Sequence, residues 1–231
     1  MAAGEWHIDQ LRGSAHELHQ GSAALVGAAP CEEGVRRARV MTVDRPALVL
    51  GSGQPDSDVD DGAAAAAGVE IVRRRSGGGA VLVAPGGLLW VDLVIPTGDA
   101  LWQADVGRAS WWVGATWASA LQSAIGAQAV VWRGAMRRSS WSALVCFAGL
   151  GPGEVCIDGQ KVVGVSQRRT RTAALFQTAA LLQWDPAALV TLLRLDGEAR
   201  IRAGSDLAAV ARGVGSRFAG PLLDAFLAAL P

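Results

Sequence analysis

A chain of 231 residues, 51% hydrophobic and 18% charged, has enough apolar material for a packed core and a composition unlike that of disordered proteins. Its 21 acidic and 21 basic side chains cancel, which argues against the global basic field of a nucleic-acid binder. No run of about twenty uncharged apolar residues occurs, so no membrane span is expected, and the start MAAGEWHIDQLRG lacks the basic-then-apolar pattern of a signal peptide.

In chain order, residues 14–28 predict a first helix, rich in alanine and leucine. RRARVMTV and ALVLGSG, separated by Asp44, Arg45 and Pro46, predict two strands of a hairpin. PDSDVDDGAAAAAG reads as a capped helix closed by Gly68. VEIVRRR, AVLVA and LLWVDLVIP follow as strands, with SGGG and PGG as turns between them. A long helix over about 103–125 is expected to bury Val106, Val113, Trp117, Leu121 and Ala124 on one face. Core packing is the simplest role for Trp111, Trp112 and Trp117. AQAVVWRG, SALVCFAG, GEVCIDG, QKVVGVSQRR and TAALFQTAALLQW are short β-type runs broken by Gly and Pro. From Asp185, an N-cap followed by proline, the pattern turns helical. The fold class expected is α+β: a mixed, mostly antiparallel sheet with helices packed on it, in a single domain over 1–231, with 185–231 a short helical segment and no large accessory domain.

Three cysteines, Cys31, Cys146 and Cys156, form no CxxC pair, which argues against a disulfide framework and for a reducing, cytoplasmic setting. His16 and His19 share a helical face but lack further ligands, so no metal site is expected.

Two local patterns suggest chemistry. In RRRSGGGAV, Arg73 to Val81, consecutive glycines allow backbone N–H groups to converge on a ligand, and neighbouring arginines can offer forked donors to an anion. The bland alternative is a tight hairpin with solvated arginines. No GxxxxGK[ST] is present, and GSGQPD at Gly51 lacks the third glycine of a dinucleotide fingerprint. The second pattern is EVCIDGQKVVGVSQRRTR, which holds Lys161, the only lysine beside twenty arginines. An accident of composition is one explanation; a need for a compact, flexible ammonium is the other.

Together, VEIVRRRSGGGAV and DGQKVVGVSQRR resemble the lipoate–protein ligase family, which shares a catalytic fold with biotin ligases and octanoyltransferases. LVLGSGQ at 48–54 is similar to that family's early strand and turn. The resemblance, over roughly residues 14–185, implies ATP-dependent activation of lipoate or octanoate, use of Mg2+, and transfer to a lysine of a lipoyl domain or glycine cleavage H protein. It implies that Arg74, Ser76, Gly77, Gly78, Gly79, Ala80, Val81 and Leu82 line the acyl and adenylate pocket. It also implies that Lys161 bridges the acyl carbonyl and the phosphate. Where many members carry His, Asp and Asn after the glycine loop, this chain has Val83, Ala84 and Gly87. Larger ligases carry an extra C-terminal domain, so a separate accessory protein is one expectation. One branch of the family instead moves octanoyl from acyl carrier protein through a cysteine thioester without ATP, which would make Cys146 a nucleophile; its apolar neighbours also fit an inert strand residue. A non-catalytic member that binds a lipoate-like ligand or a carrier protein is the third expectation.

Overall fold

The computed structural model describes residues 5–25 and 35–231, so Cys31 and the expected end of the first helix lie outside the described residues. The chain runs β1 (Trp6–Gly13), α1 (Ala15–Leu25), β2 (Arg36–Val43), β3 (Ala47–Leu50), α2 (Asp61–Ala66), β4 (Glu70–Arg73), β5 (Val81–Val83) and β6 (Leu88–Pro96). There follow α3 (Trp111–Ile125), β7 (Val130–Val131), β8 (Val155–Ile157), β9 (Gln160–Arg169), β10 (Ala173–Leu181), α4 (Pro186–Thr191), α5 (Gly197–Ala208) and α6 (Ala219–Ala228).

Local chemistry explains several boundaries. Ser14 and Glu17 form a capping box ahead of α1. Ser14 Oγ accepts from the Glu17 N–H at 3.2 Å, and Glu17 Oε2 accepts from the Ser14 N–H at 2.9 Å. The side chains of Asp60, Asp185 and Asp196 accept from backbone N–H groups at the starts of α2, α4 and α5. Gly68 and Gly126, at φ 63° and 67°, follow α2 and α3 in left-handed conformation.

Two sheets form. The larger has seven strands in the order β1-β2-β6-β10-β9-β8-β7, with β1 and β2 parallel and its other pairs antiparallel. The smaller has the order β4-β3-β5. Because successive side chains point to opposite faces of a strand, the large sheet carries two cores. Val40, Val91 and Phe176 pack with Val113, Trp117 and Leu121 of α3 and with Phe226 of α6. Met41 and Trp90, their strand neighbours, pack with α1 and the small sheet through Leu18, Val49, Val72 and Val83. The mostly antiparallel sheet with helices packed on it agrees with the sequence.

Four local expectations are corrected. β2 and β3 form no hairpin: β2 pairs with β1 and β6, whereas β3 pairs with β4 and β5. SGGG, between β4 and β5, is not a hairpin turn either, since β3 lies between those two strands in the sheet. α3 begins at Trp111, and Val106 is 56% exposed, although Val113, Trp117 and Leu121 are buried as expected. The cysteine in SALVCFAG opens a 3-10 turn over Cys146–Ala148 instead of lying in a strand. Trp117 stacks on Phe226 with centroids 3.9 Å apart, as a core residue should.

Candidate functional site

The site lies on the face of the large sheet that α1 and the small sheet cover. Strand register sets its floor. Trp90, Ala179 and Gly164 lie side by side across β6, β10 and β9, and Asp92, Gln177 and Ser166 form the next row. Ala179 and Gly164 leave room above the sheet; a Cβ added at Gly164 would lie 3.3 Å from Phe147 Cζ. Val49, Val81, Val83, Leu88, Trp90 and Phe147 supply apolar walls to the resulting pocket, which Arg74, Cys146, His19, Ser166 and Gln177 also line.

The second row is a continuous polar network. Ser76 Oγ contacts Ser166 Oγ at 3.0 Å and donates to Gln177 Oε1 at 3.2 Å, which pins the glycine loop to the large sheet. Gln177 Nε2 donates to Asp92 Oδ2 at 3.2 Å and meets His19 Nδ1 at 3.3 Å. The Trp90 indole donates to Asp92 at 2.7 Å. Burial pushes the Asp92 carboxyl above its ordinary range, against hydrogen bonds that favour the ionised form.

His19 packs against Trp90 with ring centroids 4.4 Å apart and planes tilted by 40°, and burial first, then Arg74 and His16, push its pKa down from 6.5 to about 4. The unfolded chain therefore takes up a proton near pH 6.5 that the folded chain refuses until about pH 4. Stability associated with His19 is present above pH 6.5 and is lost as pH falls towards 4. Denaturant titrations of wild type and His19→Gln at pH 7 and pH 4.5 should show wild type losing roughly 2 kcal/mol more than the variant.

The glycine loop is held open by its own arginine. The buried Arg74 guanidinium donates to the carbonyls of Val49 at 3.1 Å, Gly77 at 2.7 Å and Gly79 at 2.9 Å. With those carbonyls taken, the N–H groups of Gly77, Gly78 and Gly79 donate to no described residue, the arrangement an anion-binding backbone needs. Arg73 is likewise occupied by the carbonyls of Gly51 and Gln54 and by Asp56. Neither Arg73 nor Arg74 is therefore the free fork for an anion that the sequence pattern suggests. The loop also carries the Cys146 turn: Ala80 N–H donates to Leu144 O at 2.7 Å, and Cys146 N–H donates to Ala80 O at 3.0 Å.

Of the residues expected to line the pocket, Arg74 and Val81 do so, beside Cys146; Ser76 holds its polar row, and Gly77–Gly79, whose amides are free of described partners, stand outside its lining. Ala80 is buried beside them. Leu82 is a correction: strand alternation turns it away from Val81 and Val83, into the clusters formed with α2, α4 and α5. Lys161 is 3% exposed and is not on the pocket wall; its Nζ lies 4.8 Å from the centroid of Phe147, which is. Nζ donates to Cys146 O at 3.0 Å and Gly149 O at 2.9 Å and pairs with Glu154 Oε2 at 2.7 Å.

Glu154, Gln177 and Ser166 are not among the site residues that the sequence patterns suggest. Glu154 was findable. Asp158-Gly159, both with positive φ, make the tight turn between β8 and β9, which sets Cys156 opposite Lys161 and leaves Glu154 just beyond. Gln177 and Ser166 depend on the register of non-adjacent segments, which a linear pattern does not give. Among the described residues no cluster of three or more metal-ligating side chains occurs, and no helix is long and apolar enough to cross a membrane.

No curated protein matches the chain in sequence. In structure it is similar to a protein of an archaeal lipoylation system, a bi-partite lipoate protein ligase and its E2 lipoyl domain, from Thermoplasma acidophilum (TM-score 0.67, 18% identity, 96% of this chain and 82% of that one). It is similar to a lipoate-protein ligase A bound with ATP (0.66, 16%, 97% and 83%) and to a T. acidophilum protein with bound lipoic acid (0.68, 16%, 99% and 84%). At these identities the likeness establishes the fold. The family rests on the sequence match itself, which takes in both the glycine loop and the lysine: over residues 32–214 this chain belongs to the lipoyl protein ligase A/B catalytic domain family.

Proposed function

We propose that the protein activates lipoate or octanoate with ATP and transfers the acyl group to a lysine of a lipoyl domain or of a glycine cleavage H protein. The observation that carries this reading is the apolar pocket lined by Arg74, which holds the glycine loop, and by Cys146 and Phe147 of the turn that binds Lys161. An aliphatic chain would bury against Val49, Val81, Val83 and Trp90, at about 25 cal/mol per Å2 removed from water. The carboxylate would attack the α-phosphorus and release pyrophosphate. The acceptor amine would then attack the acyl carbonyl and release AMP. Amides of Gly77–Gly79 and the Lys161 ammonium would stabilise charge on the phosphate and carbonyl oxygens. Mg2+ would accompany the nucleotide; this chain's own residues offer it no preformed cluster among those described. A separate accessory protein, as in a two-part ligase, belongs to this proposal, as does a cytoplasmic setting.

One observation favours a second reading, transfer from acyl carrier protein through a Cys146 thioester. Cys146 lines the pocket, and its Sγ lies 3.4 Å from where a Cβ on Gly78 would be. Here the thiolate would displace the carrier's thiol and then be displaced by the acceptor lysine. The mass of a lipoyl domain after incubation with ATP and octanoate, or with octanoyl acyl carrier protein, separates the two. Modification only in the first mixture supports the ligase, modification only in the second supports the transferase, and none in either points to a binding member of the family. For the ligase, Cys146→Ser should keep acceptor modification within a few-fold of wild type; a loss of about a thousand-fold would fit a covalent nucleophile.

A further inference from the structure

The surroundings of Lys161 contain a second buried charge. Glu154 is 5% exposed and Lys161 3%. The carboxylate is fixed by the backbone: Oε2 accepts from the Gly151 N–H at 2.6 Å and Oε1 from the Val165 N–H at 3.2 Å. An ammonium has three donors. Lys161 has three acceptors within 3.0 Å, namely Glu154 Oε2, Gly149 O and Cys146 O. In this arrangement it has no donor left for a substrate.

The stem is nevertheless close to the pocket floor, since a Cβ added at Gly164 would lie 3.6 Å from Lys161 Cε. Phe147 is shared, its ring lining the pocket while the ammonium sits against it. A rotation of the last side-chain bonds can therefore carry Nζ towards the pocket without moving β9. The two carbonyls are neutral acceptors that ligand oxygens can replace. Glu154 carries a full charge, and a buried ammonium that left it would strand both.

We propose that Glu154 is a positioning residue that holds the Lys161 ammonium withdrawn from the acyl pocket. An anionic acyl-phosphate ligand then draws the ammonium from the carbonyls of Cys146 and Gly149, while Glu154 remains its counterion. This rests on the reading of Lys161 as a ligand-contacting residue. It adds that the resting site is closed to that contact, and that the lysine and the Cys146 turn respond to the ligand together.

The single lysine makes the test direct. Protein labelled with 15N-lysine has one Nζ resonance, from Lys161. In wild type that resonance should be visible and slow to exchange. In Glu154→Gln it should exchange at least about ten-fold faster, with Glu154→Asp in between. Binding of octanoyl sulfamoyl-adenosine, a stable acyl-adenylate mimic followed by calorimetry, should move the wild-type resonance. A wild-type resonance exchanging like a solvated amine overturns the proposal even if no variant folds. So does a resonance that Glu154→Gln leaves unchanged. If the mimic binds and the resonance stays put, or if the mimic fails to bind, the reading of Lys161 at the ligand fails instead, and the proposal falls with it.

Discussion

Lys161→Arg should reduce adenylate formation a hundred-fold or more although it keeps the positive charge. The site is sized for an ammonium. Nζ meets three oxygens at 2.7–3.0 Å and the face of Phe147 at 4.8 Å, in a position only 3% exposed. A planar guanidinium is wider, and its rigid fork cannot place single donors on three differently directed acceptors. Removing one preorganised donor to a developing oxyanion costs on the order of 3 kcal/mol, which is the basis of the expected rate loss. Burial adds a stability cost, since overpacking a core site costs about 1–3 kcal/mol. Thermal unfolding and activity should be read on the same samples and activity expressed per folded molecule. Lys161→Ala should be harsher in stability, because it leaves Glu154 buried without its partner, at about 3–5 kcal/mol. An arginine variant as active as wild type would return the lone lysine to an accident of composition.

The second large effect is expected at two glycines that the loop cannot do without. Gly51 packs directly on the loop: a Cβ there would lie 1.7 Å from the Gly78 carbonyl oxygen. A Cβ on Gly79 would lie 2.6 Å from Leu144 C and Val145 N, in the segment that leads to Cys146. In both cases the obstacle is backbone, which cannot turn aside as a side chain can. Gly51→Ala and Gly79→Ala should each cost about 3 kcal/mol or more, a fall in Tm of roughly 6–12 °C for a chain of this size. Each should also abolish acyl transfer by displacing the free amides. Gly53→Ala is the control. Nothing lies within 4 Å of a Cβ there, so its Tm should stay near that of wild type. Equal behaviour of the three variants in thermal unfolding would remove the close-packed loop from the account.

The same residues show what a sequence can and cannot convey. Gly77, Gly78, Gly79 and Lys161 were legible because each is an unusual choice at its position: three glycines in succession after a strand, and a lysine where arginine is the rule. Helix caps at Asp60 and Asp185 were legible because capping is local chemistry. The chain gave no such sign of the β1–β2 pairing, which joins Trp6 to Arg36 across α1 and brings a parallel strand to the sheet edge. The roles of Arg73 and Arg74 were inverted for a related reason. Their proximity to the glycines was visible, but the carbonyls they bind come from the preceding strand, the Gly51–Gln54 turn and the loop itself. Cys146 looks like a strand residue because its neighbours are apolar; Leu144, Val145 and Ala148 instead pack a 3-10 turn against α4 and α5, and Phe147 faces the pocket.

ATP–pyrophosphate exchange measures the proposed activation of a carboxylic acid in this pocket without an acceptor protein. The wild-type chain is assayed with lipoate, octanoate or biotin, together with any separate accessory protein. The account predicts exchange that depends on lipoate or octanoate, is absent with biotin, and is lost in Lys161→Arg. No acid-dependent exchange in wild type, alongside efficient octanoyl transfer from acyl carrier protein that Cys146→Ser abolishes, would contradict it.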